Sequence, residues 1–174
     1  TYAPASLPGE GMSLVHRDQF DIGESSESII LNDTYALIPT YLSIDEETIE
    51  FINTNPRSRN FLFGAWYSSE GWGTWSGRGD NYVMFDVPEK YRAGDIVLTV
   101  TGTAYAPKDI SQTVEILVNG EMLVAQRYPN SVGRTFEIHV PERIVNARGG
   151  RMTVNFRVAQ PHSPSQFGSA DRRA

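Results

Sequence analysis

The strongest constraint on the fold is an alternation of apolar and polar residues through the second half of the chain. In residues 135–140, Phe136, Ile138 and Val140 alternate with polar residues. The same period of two occurs in residues 81–87, 96–101, 113–118 and 152–158. Because successive side chains of a strand point to opposite faces, each segment would bury one face and expose the other, which is typical of antiparallel sheets.

Turn signals and shorter strand patterns extend this prediction to the rest of the chain. Asn119-Gly120 tolerates the positive φ angles of a type I′ turn and predicts a β-hairpin. Shorter strands are predicted over residues 29–31, 35–38, 48–52 and 61–67. Residues 42–50 and 144–148 allow only a turn or two of helix, so no amphipathic helix is expected.

The sequence therefore predicts an all-β fold, an antiparallel β-sandwich of jelly-roll type with about eight or nine strands. Residues 1–27 are rich in proline and glycine near their start and predict an irregular N-terminal extension or linker. Residues 28–174 are predicted to form the sandwich, since this length suits one domain. The chain begins on Thr1 and ends on Ala174, so we expect an excised piece of a longer protein.

Composition excludes several classes of protein and site. The absence of cysteine excludes a disulfide framework, a thiolate metal site and a cysteine nucleophile. The net charge of −6 argues against a nucleic-acid partner, because proteins that bind the phosphate backbone are usually basic. No apolar run approaches the ~20 residues that span a bilayer, so we expect no membrane insertion by this segment.

The most unusual stretch is residues 64–80, which contain all three tryptophans of the chain and five glycines. Aromatic faces stack on the C–H faces of sugar rings, while neighbouring polar groups bond the hydroxyls. This combination predicts a glycan-binding loop. The candidate ligand-binding residues are Trp66, Tyr67, Glu70, Trp72, Trp75, Arg78 and Asp80.

A packing role is the alternative interpretation of the same tryptophans. They would then fill one end of the sandwich, with the glycines allowing a tight loop. Trp66 is flanked by a strand pattern, which favours the core, and Trp75 also favours packing. For Trp72, ligand binding and packing stay open.

A resemblance to a known family supports the glycan interpretation. Residues 64–77 read GAWYSSEGWGTWSG, which resembles the signature G-W-S-x-x-E-x-W-G-x-W-S-x-G. Residues 112–120 and 163–172 resemble the hairpin and the closing motif, S-P-x-x-x-G-x-S-x-D-x-R, of the same family. These motifs mark a β-sandwich module of unknown function in bacterial envelope proteins, often appended to glycosyltransferase-like proteins. The resemblance covers residues 48–174, with one extra residue before Tyr67 and a closing motif one residue tighter.

What the resemblance implies is a non-catalytic, carbohydrate-associated domain outside the cytoplasm, in the periplasm or at the cell surface. The family offers no established catalytic residues, so none is assigned here. The closing motif ends in Asp171-Arg172. We expect this pair to hold the closing segment against the tryptophan-containing loop, a structural role that is favoured over ligand binding.

Metal and cofactor chemistry has little support in the sequence. His16, His139 and His162 are far apart and lack the spacing of zinc ligands. His139 is expected on the solvent face of its strand, and the acidic run 45–47 in a solvated turn. No cofactor is therefore expected, although a structural calcium ion is compatible with a jelly roll.

Catalysis is also not expected. Glu70 with Asp80 or Asp171 resembles the acid and base of a glycosidase, but nothing in the sequence sets their separation. The chain has no nucleophile elbow, phosphate-binding loop or dinucleotide fingerprint.

The function predicted from the sequence is thus a carbohydrate-binding accessory module of a larger bacterial envelope protein, with a glycan or polysaccharide as partner. The main alternative is a structural or interaction domain that packs on the catalytic domain of its parent protein or on another partner, since Trp and Arg are typical interface residues. A glycan-active enzyme is the third hypothesis.

Overall fold

The computed structural model describes residues 12–16, 29–30, 35–39, 48–107 and 109–171, and in the first three ranges it describes the backbone alone. Contacts within the chain divide it into two compact units, Thr1–Tyr41 and Leu42–Ala174. The division that the sequence predicts, between residues 27 and 28, falls inside the first of these units.

The first unit contains a three-stranded antiparallel sheet. Its strands are β1 (Met12–His16), β2 (Ile29–Ile30) and β3 (Tyr35–Pro39), in the order β1-β3-β2. Strand β1 differs from the irregular structure that the sequence predicts for residues 1–27. Its five residues pair in register with β3, so the strand depends on a partner distant in sequence rather than on local pattern.

The second unit contains seven strands among its described residues. They are β4 (Leu62–Trp66), β5 (Ser76–Asp86), β6 (Ile96–Gly102), β7 (Gln112–Val118), β8 (Glu121–Tyr128), β9 (Arg134–Val140) and β10 (Arg151–Val158). One sheet has the order β4-β5-β10-β7-β8 and the other pairs β6 with β9, with every pairing antiparallel. The short helices are 3-10 turns at Pro56–Phe61, Glu89–Tyr91 and Pro164–Phe167, and one α-helix, α1, at Glu142–Asn146.

The hydrophobic core lies between the two sheets of the second unit. Ile116 and Met152 of the larger sheet and Ile138 and Val140 of the smaller one are all fully buried. These residues belong to one cluster, so the sheets pack face to face. Each such side chain contributes roughly 1.5–3 kcal/mol by leaving water. The predicted all-β, antiparallel fold is confirmed, whereas the jelly-roll type stays a prediction.

The alternation predicted for residues 152–158 is only partly right, because both faces of β10 are buried in its first half. Thr153 and Asn155, predicted on the solvent face, are only 4% and 6% exposed. Strand β10 lies between β5 and β7 at the centre of the five-stranded sheet. On this face the Thr153 hydroxyl donates to Asn119 and the Asn155 amide donates to Asp80, so side chains from neighbouring segments cover both residues.

The strand predicted over residues 48–52 is wrong, because no ladder forms there. Ile49 and Phe51 still pack against the core, so the alternation correctly indicates which side chains face inward. Two backbone carbonyl oxygens of this segment instead accept hydrogen bonds from side chains. The carbonyl oxygen of Phe51 accepts a hydrogen bond from Thr74 at 2.7 Å, and that of Glu50 accepts one from Asn55 at 3.2 Å.

The hairpin between β7 and β8 turns at Asn119-Gly120, as predicted, with φ angles of 49° and 88°. The Asn119 side chain also links three segments. Its Oδ1 accepts hydrogen bonds from the backbone N–H and hydroxyl of Thr153 at 2.9 and 3.1 Å, and its Nδ2 donates to the carbonyl oxygens of Ile144 and Arg151 at 3.1 and 3.2 Å. Asparagine therefore provides both the turn conformation and the links to α1 and β10.

Replacing Asn119 with glycine is expected to destabilise the fold by about 1–3 kcal/mol, because the turn is retained while the side-chain hydrogen bonds are lost. Urea unfolding measures the change. The matched control is Asn53→Gly, at an exposed turn residue, where we expect a change within about 0.5 kcal/mol. Equal losses in the two variants would show that the Asn119 side chain contributes nothing beyond the turn.

An ion pair also joins this hairpin to α1. Arg143 donates through Nη1 to Oε2 of Glu121 at 2.6 Å and through Nη2 to its Oε1. The hydrogen bonds from the guanidinium lower the pKa of the Glu121 carboxyl below its ordinary value.

This lowered pKa predicts a pH dependence. The unfolded chain binds the proton of Glu121 at higher pH than the folded chain does, so the contribution to stability is present above the unfolded pKa and disappears as the pH falls through the folded pKa. Wild-type protein should therefore lose more stability between pH 6 and pH 3 than Glu121→Gln does. Urea midpoints at both pH values measure this, and parallel losses would contradict it. The difference should shrink in 1 M salt, because the pair is exposed.

Candidate functional site

The candidate site is built on the connection between β4 and β5, which we call the tryptophan loop (residues 67–75). The two strands hold its ends through the pairing of Trp66 with Ser76. The backbone N–H of Tyr67 donates to the carbonyl oxygen of Trp75 at 2.9 Å and continues this pairing into the loop. At its tip, the N–H of Glu70 donates to the carbonyl oxygen of Gly73 at 2.8 Å, which closes a tight turn around Trp72.

Residues 48–53 support the tryptophan loop. The N–H of Asn53 donates to the carbonyl oxygen of Glu70 at 2.9 Å. The Thr74 hydroxyl donates to the carbonyl oxygen of Phe51 and lies 2.8 Å from the Ser69 hydroxyl. Backbone groups that would otherwise be paired in a ladder therefore hold the loop in one conformation.

Trp72 is the most exposed tryptophan, at 56% of its surface. Its indole Nε1 donates to Oε2 of Glu70 at 2.8 Å. Its ring meets the ring of Trp75 edge to face, with centroids 5.2 Å apart and planes at 75°, a contact worth about 0.5–1.5 kcal/mol beyond area burial. The Trp72 ring is thus oriented by its own chain while a large part of it faces solvent.

Trp66 lies in a different environment. Its Nε1 donates to the carbonyl oxygens of Phe63 at 3.0 Å and Tyr82 at 3.1 Å, and its ring packs edge to face on Phe156. Phe156 packs against the core cluster. The structure places Trp66 where the packing interpretation expects it, among the strands rather than with the ring of Trp72.

Arg78 and Asp80 lie in a bulge of β5, residues 77–80, where four residues of β5 oppose only Ala65 of β4. The buried side chain of Asn81 closes this bulge by donating to the carbonyl oxygens of Gly77 and Gly79, both at 2.9 Å. Residues 78–80 are exposed.

The bulge adjoins one end of the tryptophan loop. A Cβ placed on Gly77 would lie 3.4 Å from Cε2 of Tyr67, which is 37% exposed. Nη1 of the exposed Arg59 donates to the carbonyl oxygen of Tyr67 at 2.6 Å. Asp80 is directed toward the sheet, where its Oδ1 accepts a hydrogen bond from Nδ2 of Asn155 at 3.0 Å.

The structure thus brings Glu70, Trp72 and Trp75 into direct contact and places Tyr67 between Trp75 and the bulge. Sequence reasoning missed Thr74 and Asn81, which hold the loop and the bulge. Neither has a local signal: the Thr74 partner is 23 residues away, and Asn81 acts on a bulge that strand pairing creates.

The other candidate groups are separate from this site. His139 is exposed, as predicted, and lies 3.7 Å from Glu137. His162 packs edge to face on Phe167, which is 46% exposed. The side chain of His16 and the acidic run 45–47 lie outside the described residues.

The predicted closing pair is only half described, because Arg172 lies outside the described residues. The segment before it starts with a capping box in which Ser163 and Gln166 bond each other's backbone N–H groups. Within the part of the chain that the structure describes, no three acidic or histidine side chains form a group that could hold a metal ion. The expectations about cofactors and calcium stay predictions.

Comparison with known proteins gives no relative for this chain: no family model matches it, nor does any curated protein or solved structure. The resemblance to the envelope module therefore stays a prediction. None of the described helices is long and apolar enough to cross a membrane.

Proposed function

We propose that the second unit is a non-catalytic carbohydrate-binding module and that the tryptophan loop contacts the glycan. The observation that carries the proposal is the exposed ring of Trp72, which Glu70 and Trp75 hold in one orientation. A flat apolar ring with fixed orientation suits the C–H face of a sugar, and its fixed position reduces the entropy lost on binding.

Polar groups near this ring would bond the sugar hydroxyls. The Glu70 carboxylate contacts the indole, and an ionised carboxylate can accept hydrogen bonds at about four lone-pair sites. Arg78 and Asp80 are exposed in the neighbouring bulge. Affinity for a single sugar site of this kind is expected in the micromolar to millimolar range, about −4 to −8 kcal/mol.

Following the sequence resemblance, we further propose that the module belongs to a larger bacterial envelope protein and acts outside the cytoplasm. There it would keep its parent protein close to a polysaccharide. The effect is one of local concentration, which raises apparent affinity without a new contact in the parent protein.

Tryptophan fluorescence during titration with bacterial and plant oligosaccharides tests the binding proposal. Because Trp72 faces solvent, a bound sugar should change its emission in a saturable way with one sugar class. Circular dichroism of the same sample verifies that the protein is folded. A folded sample whose emission changes with no sugar would contradict the proposal.

An interaction with protein is the second candidate function. Tyr67 and Trp72 are both partly exposed, and the exposed Arg59 bonds the backbone of Tyr67. Tryptophan, tyrosine and arginine dominate binding energy at protein interfaces. Specific binding to a parent catalytic domain, unaffected by saturating sugar, would favour this function over glycan binding.

A further inference from the structure

We infer that the glycan at the tryptophan loop is acidic and that Arg78 binds a uronate carboxylate on it. This inference rests on the proposed function, because it names the class of sugar for the same site. The charged groups of the site differ in the bonds that they already make within the chain.

Both carboxylates of the site are engaged. Glu70 accepts the indole N–H of Trp72 at 2.8 Å, and Asp80 accepts the side-chain amide of Asn155 at 3.0 Å. Their charges therefore orient a ring and fasten the bulge to β10. Both donors are neutral, so each carboxylate keeps its negative charge and the attraction for an acidic sugar has to come from the guanidinium groups.

The guanidinium groups of Arg59 and Arg78 provide the hydrogen-bond donors that a carboxylate needs. Each arginine carries five N–H donors in a planar fork that matches a carboxylate. Arg59 donates one N–H to the carbonyl oxygen of Tyr67. Arg78 is exposed and follows Gly77, where a Cβ would lie 3.4 Å from the Tyr67 ring. Tyr67 is in turn bonded to Trp75 through its backbone N–H. An acidic sugar bound at Tyr67 would bring its carboxylate within reach of these two arginines.

Because the whole chain is negatively charged, a preference for acidic over neutral sugars would indicate a specific contact. At −6, the protein repels polyanions at long range, so nonspecific attraction gives no advantage to an acidic glycan. At about 0.15 M salt this repulsion is screened beyond roughly 8 Å, whereas a direct guanidinium–carboxylate contact is not. A preference for uronate at this salt concentration therefore reports a local contact.

The experiment compares acidic oligosaccharides with their methyl esters, which keep the same ring but lose the charge. Oligogalacturonate, oligomannuronate and hyaluronan fragments, each with its ester, and neutral gluco-oligosaccharides are titrated at 0.15 M salt by fluorescence. We expect one acid to bind about tenfold more tightly than its ester. Arg78→Gln should weaken binding of the acid about tenfold more than binding of its ester, so that the preference is lost. The matched control Arg134→Gln removes the same charge from an exposed residue of the smaller sheet and should retain the preference.

Other results of these titrations would overturn the acidic inference alone or both proposals. Equal binding of acid and ester, or binding of neutral oligosaccharides alone, would overturn the acidic inference and leave the carbohydrate-binding proposal standing. An equal loss in Arg78→Gln and Arg134→Gln would also overturn it, because the effect would then come from net charge. No binding of any sugar by folded protein would overturn both proposals.

Discussion

Replacing Trp72 with alanine is expected to reduce glycan affinity more than about 30-fold, since truncating a central aromatic residue of a binding site typically costs about 2 kcal/mol or more. The fold should survive. Trp72 is 56% exposed, and within the loop its side chain donates one hydrogen bond to Glu70 and makes one edge contact with Trp75. The free energy of unfolding should fall by no more than about 1.5 kcal/mol, mainly from that edge contact.

A matched control and a conservative variant make this result specific. Tyr91 has the same exposed fraction, 56%, and lies in a 3-10 turn between β5 and β6, so Tyr91→Ala should leave glycan binding unchanged. Trp72→Phe keeps an aromatic face but loses the N–H that bonds Glu70, and we expect it to bind with intermediate affinity. Fluorescence is less suitable once Trp72 is removed, so calorimetric titration measures all three variants.

Two outcomes would contradict the expectation for Trp72. If the alanine variant fails to fold, then Trp72 belongs to the structural support of the sandwich. If it folds and binds as wild type does, then the tryptophan loop is not the glycan site. Circular dichroism and urea unfolding of each variant separate these outcomes.

The second large effect is expected from Gly64→Ala in β4, which should destabilise the protein by about 3 kcal/mol. Gly64 has a φ angle of +99°, a backbone conformation that costs an L-residue about 1–3 kcal/mol. A Cβ there would also lie 2.3 Å from the carbonyl oxygen of Asp80, so the bulge would have to move. Because the bulge carries Arg78, glycan affinity should fall together with stability.

Three other glycines separate backbone strain from steric overlap. Gly79→Ala introduces strain alone, since its φ is +107° but a Cβ meets nothing within 4 Å. Gly77→Ala introduces overlap alone. Gly77 has no positive φ, but a Cβ there would lie 2.7 Å from the carbonyl oxygen of Ala65 in β4. Gly71→Ala introduces neither and should change stability by less than about 0.5 kcal/mol.

Urea unfolding of the four variants tests this account. Gly64→Ala should be the least stable, Gly71→Ala should match wild type, and the other two should lie between them. A Gly64→Ala variant as stable as Gly71→Ala would mean that β4 and the bulge separate at little cost, and the fixed geometry assigned to the site would then be wrong.

Much of the fold was predictable because its signals are local. The alternation around Ile138 and Val140 reflects the pleat of a single strand, and Asn119-Gly120 adopts the positive φ angles that its residue types favour. The prediction failed where pairing decides the outcome. Residues 48–52 have the alternation of a strand, yet their backbone bonds the tryptophan loop instead of a neighbouring strand.

The sequence by itself therefore determined the all-β class, the main strands and the location of an aromatic, glycine-rich loop. Only the tertiary structure decided which tryptophan faces solvent, because Trp66 continues a strand whose neighbours accept its N–H while Trp72 lies at a turn. It also decided how the loop and bulge are held, through Thr74 and Asn81. The physical reason is that strand pattern depends on neighbours in sequence, whereas these hydrogen bonds join groups that only the packed strands bring together.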